Sequence, residues 1–341
     1  MCAYAIINLD AYERNLKKII DKVPSEKIMA VVKANAYGHG SLEIVKRAIK
    51  LGVNFFGVAR KSEAYEIIEM FSNVNVLILS PISRSEIKEA VSKGIHLTIS
   101  NFEDIEYILE NKIVGNFHYA IETGMGRIGF MEDEIEKAYN LLKPVGIFSH
   151  LSSADFDEEY TKLQIEKYAR IVSKLDVKYK HLLNSFGSIK YNKEYDLYRV
   201  GIIMYGGEMN EIFEPVMTFK ARVNHIKILE DDAFIGYSKT YFAKKGDIIA
   251  TVSCGYADGM LRYMSNKSRV YFNGKFYPIV GNICMDQFMI KVDDEIKIDD
   301  FVEIFGEHIL VNDLAKELNT ISYELLCAVS SRVERSYWTE E

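Results

Sequence analysis

From residue 28 onward, short apolar runs alternate with amphipathic stretches. The runs are rich in Val, Ile, Leu or Phe and are bounded by Gly, Pro or Ser, which is typical of strands covered on both faces. They occupy 28–33, 53–59, 74–80, 95–100, 117–122, 145–150, 179–184 and 197–204. Intervening segments such as 41–52, 83–94 and 101–111 repeat apolar residues at i, i+3 and i+4, which predicts helices, with Ser41 as an N-cap and Gly52 as a C-cap.

Eight strand–helix repeats over about 200 residues predict an α/β fold, a (β/α)8 TIM-type barrel. The alternative is an open doubly wound sheet, which usually shows a GxGxxG turn after its first strand. No such turn follows residues 28–33. The barrel is therefore the favoured architecture.

The alternation of strand-like and helical segments ends near Pro215. Beyond it the chain shows strand-like segments with few helical stretches between them, and Asn273-Gly274 is a strong signal for a two-residue hairpin turn. The strand-like segments are 216–229, 247–256, 269–281, 282–292 and 301–310. The sequence therefore predicts a barrel domain over 1–214 and a mainly-β C-terminal domain over 215–341.

Composition narrows the class of protein. The 341 residues are 48% hydrophobic and 27% charged, which is ordinary for a soluble globular chain. A net charge of -7 gives no basic surface for nucleic acid, and no apolar run reaches the length of a membrane span. The first residues do not resemble a signal peptide, and the four cysteines are scattered without CxxC spacing. We expect a cytoplasmic protein with reduced thiols, no metal site, and no nucleic-acid or membrane partner.

Polar residues lie at the predicted strand ends, where a barrel places its active site. They are Lys33, the loop 123–127 with Arg127, His150, Asn184, Ser185, Arg199 and Gly201. Taken alone, His150 has a simpler explanation as a hydrogen-bonded core histidine, and Arg199 has one as half of a buried ion pair. Together the group offers an amine, two guanidinium groups and an imidazole, which suit an anionic carbonyl compound. Pyridoxal phosphate (PLP) fits this description. A Schiff-base barrel aldolase is the alternative, although its lysine usually comes from a middle strand and it needs no β-domain.

Four segments resemble the alanine racemase family in sequence and in order. They are AVVKANAYGHG at 30–40, TGMGR at 123–127, GYADG at 255–259 and CMDQ at 284–287. The resemblance implies that Lys33 carries PLP covalently and acts as one of two bases. It implies that Tyr256 is the second base and reaches the site from the partner subunit of a homodimer.

The same resemblance implies the other ligand contacts. Arg199 would hydrogen-bond the pyridine nitrogen, and His150 would pack near the ring. Arg127 and the amide of Met285 would bind the substrate carboxylate. The remaining cofactor-binding positions, most of them for the phosphate, are Tyr37, Asn184, Ser185, Gly201, Ile202 and Tyr323.

One position departs from the family pattern. Many members place a carbamylated lysine seven residues before the arginine that corresponds to Arg127, and here that position is Ala120. Alanine cannot carry a carbamate. Arg127 therefore needs another partner, such as Glu122, a bound anion or none.

The expected function is PLP-dependent interconversion of L-alanine and D-alanine, which supplies D-alanine for cell-wall peptidoglycan. Racemisation of serine or another amino acid remains open, because one sequence does not rank the side chains that close the pocket. PLP-dependent amino-acid decarboxylases share the architecture but lack GYADG. They also need a segment carrying cysteine and aspartate for the substrate, which is not found. A barrel-only PLP-binding protein would end near residue 230, without Tyr256 and Met285.

Overall fold

The computed structural model describes residues 2–191 and 193–339, so the predicted domain ends at 1 and 341 lie outside it. Its contacts divide the chain into two units. The barrel unit contains residues 16–36 and 41–203, and the β-rich unit contains residues up to 15, residues 37–40 and the chain from 204 onward. The first described residues, which the boundary at 214/215 assigns to the barrel domain, therefore belong to the β-rich unit.

The barrel unit contains all eight strands that the apolar runs predict. After β1 (Ala3–Asn8), which belongs to the other unit, the strands are β2 (Ile28–Val31), β3 (Phe55–Val58), β4 (Asn75–Ile78), β5 (His96–Ile99), β6 (Phe117–Ala120), β7 (Gly146–Phe148), β8 (Tyr179–His181) and β9 (Tyr198–Val200). Each is shorter than its apolar run because residues at the end of the run, and in several runs also at its start, lie outside the ladder.

The eight strands form one parallel sheet in the order β8-β7-β6-β5-β4-β3-β2-β9. At the remaining junction the N–H of Arg199 donates to the carbonyl of Leu183 at 3.0 Å, and that of Asp196 to Lys180 at 3.0 Å. These bonds bring β9 back to β8, so the sheet is a nearly closed barrel and the predicted fold class is confirmed. Met29, Phe55, Leu77 and Leu197 form one buried cluster of its core.

The predicted amphipathic segments 41–52, 83–94 and 101–111 are confirmed as the helices Ser41–Lys50, Arg84–Ser92 and Phe102–Glu110. Further helices are Leu9–Ile20, which the pattern did not predict, Lys61–Met70, Ile135–Leu141, Glu158–Val172 and Ser185–Lys190. Gly52 has a φ of +85°, as a C-cap glycine requires. The predicted N-cap Ser41 lies instead inside the first turn, where its N–H donates to the Asn35 side chain at 2.8 Å. The prediction of Ser41 as the N-cap is wrong because the helix already includes this residue, and the Asn35 side chain from the preceding loop accepts from its N–H.

A left-handed turn begins directly after Lys33. Residues 34–37, none of them glycine, all have a φ of 53°. Such a conformation costs L-residues about 1–2 kcal/mol each. The turn is held by hydrogen bonds to its residues: the Ala36 N–H donates to the Val32 carbonyl at 2.8 Å, Glu63 accepts from the Ala34 N–H at 2.6 Å, and Asn35 accepts from Ser41. The local sequence pattern did not predict this turn.

The β-rich unit begins with β1 and continues after residue 204. Its further strands are β10 (Met217–Ile228), β11 (Ala233–Ile235), β12 (Tyr241–Ala243), β13 (Ile248–Val252), β14 (Arg269–Phe272), β15 (Lys275–Pro278), β16 (Phe288–Val292), β17 (Phe301–Phe305) and β18 (Glu334–Trp338). Two helices, Val311–Glu317 and Ser322–Ala328, precede the last strand. The mainly-β character that the sequence predicts is confirmed.

The main sheet of this unit runs β15-β14-β17-β10-β1-β18, and β13 joins β10 to β16. Strand β1 lies between β10, with which it pairs antiparallel, and β18, with which it pairs parallel. The predicted hairpin at Asn273-Gly274 is confirmed, because both residues have a positive φ, of 44° and 86°, and connect β14 to β15.

Three further properties concern the described residues. None of their helices is long and apolar enough to cross a bilayer. All four cysteines are free. No group of three or more His, Cys, Asp or Glu side chains in this part of the chain is arranged to hold a metal ion.

Candidate active site

Three of the predicted site residues, all cations, act on a fourth, His150, in the barrel unit. Lys33 and His150 each lie two residues beyond the end of a strand, β2 and β7, and Arg199 lies within β9. Burial lowers the pKa of His150 well below its ordinary value, and the charges of Arg199, Arg127 and Lys33 lower it further. The imidazole is therefore neutral at physiological pH. Strand ends far apart in sequence bring three cations to a single ring.

The guanidinium of Arg199 is buried and is held mainly by backbone carbonyls. Nη1 donates to the carbonyl and the Nδ1 of His181, both at 2.9 Å. Nη2 donates to the carbonyls of Ser149 and Leu182 and contacts the Nδ1 of His150 at 3.3 Å. Burial lowers its pKa to about 10, so the group stays protonated.

No carboxylate among the described residues pairs with Arg199, so the interpretation of this arginine as half of an ion pair is wrong. Its Nε–H makes no hydrogen bond within the described part of the chain. One N–H of a rigidly held cation is therefore available to a ligand.

Asn184, Ser185, Gly201 and Ile202 lie together at the ends of β8 and β9. Asn184 caps the helix Ser185–Lys190, because its side chain accepts from the Gly187 N–H at 2.9 Å. The Gly201 N–H donates to the Ser185 hydroxyl at 2.9 Å, so this predicted phosphate donor is bound within the protein. Ile202 opens a turn of 3₁₀ helix, Ile202–Tyr205, where the first amide has no partner inside the helix.

Tyr37 and Tyr323 meet in the β-rich unit, where their ring centroids are 5.8 Å apart. Tyr205, which the sequence did not single out, packs against Tyr37 at 5.0 Å. Burial raises the pKa of Tyr37, so its hydroxyl stays a neutral donor. Gly38 follows with a φ of +83°, and a Cβ there would lie 2.5 Å from the carbonyl oxygen of Leu326, so the site tolerates only glycine.

The segments that carry Tyr256 and Met285 are bound to each other through their backbones. The Tyr256 N–H donates to the Cys284 carbonyl at 3.0 Å, and the Ala257 N–H to the Met285 carbonyl at 3.0 Å. A Cβ on Gly255 would lie 2.2 Å from the Met285 oxygen, which explains the glycine. The side chains of Tyr256 and Met285 are 45% and 53% exposed. The β-rich unit therefore presents both residues on its surface.

Arg127 and Glu122 do not pair through their side chains. The Glu122 carboxylate accepts from the backbone amides of Gly124, Gly126 and Arg127, so it shapes the loop and leaves the guanidinium alone. Arg127 instead lines a cavity of about 10 Å³ that also touches Ala120 and His150. A volume of this size holds one water or small ion. Glu122 is therefore not the side-chain partner of Arg127.

Three buried histidines of the barrel unit were not among the predicted site residues. His96, His118 and His181 lie within strands β5, β6 and β8, and the last of them holds Arg199. The available signal was a histidine inside a predicted barrel strand at three places. Such residues are easily dismissed, because a period-2 pattern cannot be followed over strands of three or four residues.

Comparison with known proteins gives consistent matches over the whole chain. Residues 7–209 match the family "Alanine racemase, N-terminal domain" and residues 216–337 match "Alanine racemase, C-terminal domain". The chain is 37% identical to alanine racemase 2 of Caldanaerobacter subterraneus, covering 97% of this chain and 93% of the relative. It is also 37% identical to the alanine racemase of Desulforamulus reducens, covering 98% of each.

Solved structures of alanine racemases superpose on this chain over nearly its whole length. The alanine racemase of Clostridium difficile superposes with a TM-score of 0.92 at 32% identity, over 100% of this chain and 96% of that one. The alanine racemase of Bacillus anthracis, with bound L-Ala-P, gives 0.92 at 30% identity, over 98% and 95%.

Proposed function

This chain belongs to the alanine racemase family and is an enzyme that interconverts L-alanine and D-alanine, and from that premise we propose how its residues carry the reaction. PLP is the cofactor of the proposal, and the residues of the barrel unit fit it. The observation that carries the proposal is Arg199, whose two terminal nitrogens are fixed by the protein while its Nε–H has no partner in the described chain.

The available donors match the two polar ends of PLP. A guanidinium donates hydrogen bonds and does not give up its proton, so Arg199 suits a pyridine nitrogen that stays unprotonated. The neutral hydroxyl of Tyr37 and the first amide of Ile202 are donors for a phosphate, and Asn184, Ser185, Gly201 and Tyr323 complete the cofactor-binding set of the proposal. When bound, PLP draws electrons from the α-carbon of the amino acid and so makes its proton removable.

Inverting an α-carbon requires a proton to leave from one face and return to the other. In the proposal, Lys33 would hold the cofactor covalently, and its Nζ, released when the amino group of the substrate takes its place in that bond, would remove or return the proton on one face. The hydroxyl of Tyr256 serves the opposite face. Arg199, by donating a hydrogen bond and keeping its proton, moderates the electron demand on the α-carbon and so limits side reactions.

Substrate binding in the proposal uses two donors. Arg127 and the amide of Met285 hold the carboxylate of the amino acid, which fixes the α-carbon between the two bases. His150, kept neutral by burial and by three neighbouring cations, packs beside the cofactor without adding charge.

Tyr256 is assigned to the second copy in a homodimer. Exposure of Tyr256 and Met285 on the β-rich unit supports this assignment, since each then remains available to another chain. The boundary at 214/215 is part of the proposal as well, and it is supported by the gap between the matched ranges 7–209 and 216–337.

The alternative functions, racemisation of another amino acid and PLP-dependent decarboxylation, are not favoured. The relatives and solved structures reported above are alanine racemases, and none is a decarboxylase or a racemase of another amino acid. We place the reaction in the cytoplasm, where it supplies D-alanine for peptidoglycan. Restoring growth of a D-alanine auxotroph without added D-alanine would support this role.

Cofactor attachment can be located directly. Reducing the holoenzyme with borohydride before digestion should fix the cofactor on the peptide that contains Lys33, as found by peptide mass spectrometry. Pretreating the enzyme with a carbonyl reagent that removes the cofactor is the control and should leave this peptide unmodified. Attachment at a different lysine would contradict the assignment of Lys33.

Arg127 provides a separate prediction. We propose that an anion in the cavity beside Ala120 is its partner. Activity should then be independent of added bicarbonate and should rise about twofold to fivefold when chloride replaces gluconate, the size of a partly exposed ion pair. Glu122→Gln is the matched control. Its side-chain amide keeps one acceptor oxygen for the loop amides and has an NH₂ group in place of the other oxygen. The variant should keep the response to chloride, whereas equal rates in both salts in the wild-type enzyme would contradict the anion.

A further inference from the structure

Three buried histidines and Arg199 form a continuous hydrogen-bonded chain through the barrel unit. The Nδ1 of His181 contacts Arg199 Nη1 at 2.9 Å, and its Nε2 contacts the Nδ1 of His118 at 3.0 Å. The Nε2 of His118 then contacts the Nδ1 of His96 at 3.0 Å. His118 and His181 are fully buried, and His96 retains 4% exposure at the start of β5. We call these four residues the histidine relay.

The guanidinium sets the direction of every bond in the relay. Arginine only donates, so the Nδ1 of His181 must accept and its proton must be on Nε2. That Nε2–H donates to the Nδ1 of His118, which forces the same tautomer on the second ring. The Nε2–H of His118 in turn donates to the Nδ1 of His96, which fixes the same tautomer on the third ring. Reversing a single ring would place two protons or two lone pairs against each other, which is costly in a buried position.

The relay also requires that all three rings be neutral, because an imidazolium donates from both nitrogens. Burial lowers the pKa of His118 and of His181 well below their ordinary values, and neighbouring histidines and Arg199 lower them further. Burial, with the charge of Lys178, lowers the pKa of His96 to about 4. The charged groups that act on the relay, Lys178 and Arg199, are both cations.

We propose that the relay is a dipole chain locked in one tautomer by Arg199, and that His181 is a positioning residue that fixes the guanidinium for its ligand. It is not a path for protons, since Arg199 at its inner end does not release one. The proposal deepens the proposed function, because it rests on Arg199 as the partner of the pyridine nitrogen. Without an acceptor at His181, Nη1 would keep only the His181 carbonyl, and the angle of the Nε–H would be less well defined.

Tautomers can be read by NMR of the full-length enzyme labelled with ¹⁵N-histidine, before and after the cofactor is removed. His96, His118 and His181, assigned through single variants, should all carry the proton on Nε2 and should not titrate between about pH 5.5 and 8.5. A proton on Nδ1, or a titration in that range, in any of the three would overturn the relay.

The direction of the hydrogen bonds in the histidine relay is tested by removing its middle histidine, His118. His118→Phe keeps a ring but has no nitrogen. His181 should stay in the Nε2–H form because Arg199 still faces it, while His96 should become a mixture of tautomers. A pure Nε2–H form of His96 in this variant would show that each ring is set locally and would overturn the proposal. If this variant does not fold, His118→Gln, which can still accept and donate, should fold and is compared with His118→Leu by the same spectra.

Positioning is tested separately at His181. His181→Leu should lower kcat about tenfold with little change in KM, the effect of losing one hydrogen bond to a charged group. His181→Asn, which offers an amide oxygen close to the position of Nδ1, should restore most of the rate. An unchanged kcat in the leucine variant, with the tautomers as expected, would overturn the positioning role. If the cofactor were not attached to Lys33 in the wild-type enzyme, the proposed function would be wrong, which is a different result from failure of the positioning role of His181.

Discussion

Replacing Lys33 with alanine should abolish racemisation and the covalent attachment of the cofactor together. The amine has two roles in the proposed mechanism, since it binds the cofactor and moves the proton on one face of the substrate. Loss of one general base alone costs about 10²–10⁴-fold in rate. With attachment lost as well, kcat should fall by at least the upper end of this range, about 10⁴-fold. Chiral chromatography of L-alanine after incubation with the variant measures the rate.

Lys46→Ala is the matched control for this experiment. Lys46 is an exposed lysine of the same unit whose nearest carboxylate, Glu43, is 3.8 Å away. Its removal should leave both activity and cofactor attachment unchanged. A Lys33→Ala enzyme that purified with its cofactor covalently bound and continued to convert L-alanine would overturn the assignment of the active site.

Mixing two inactive variants should restore part of the activity. Lys33→Ala and Tyr256→Phe homodimers each lack one base in both sites. If each site combines Lys33 of one copy with Tyr256 of the other, a mixed dimer has both lesions in one site and none in the second. Equal mixing yields about one half heterodimers, so about a quarter of the sites should be active.

The measurement is the specific activity after subunit exchange, with the heterodimer fraction determined by native mass spectrometry. Mixing Lys33→Ala with Lys33→Ala that carries a different mass tag is the control and should give no activity. Confirmed heterodimers without recovery would show that both bases come from the same copy.

Local patterns predicted the barrel well because each of its strands pairs with a near neighbour in sequence. Strands β2 to β8 are paired in chain order, and only β9 closes the sheet against β2. At the predicted strand ends, the charges of Lys33, Arg127 and Arg199 all lower the pKa of His150. The lengths were overestimated, because apolar residues continue past the last ladder bond.

What the sequence could not predict depends on distant partners. Strand β1 pairs with residues more than 200 positions away, so no local pattern identified it. The histidine relay joins side chains from β5, β6 and β8, and its geometry exists only once the sheet is curved. The loop partner of Glu122 was also missed, because backbone amides leave no mark in the amino-acid sequence.

The position of β1 has a consequence for how the chain is made. Ala3 pairs with Ala221 and Tyr4 with Glu334, so β1 leaves the ribosome more than 200 residues before one neighbour and more than 300 before the other. Until then both edges of β1 carry unpaired N–H and C=O groups, and the apolar side chains of Ala5 and Ile7 have no sheet to cover them. The barrel strands, by contrast, find partners as they emerge. We therefore expect the barrel to form on the ribosome while β1 waits, and nascent chains halted between β10 and β18 to be the species most prone to aggregate or to be held by chaperones.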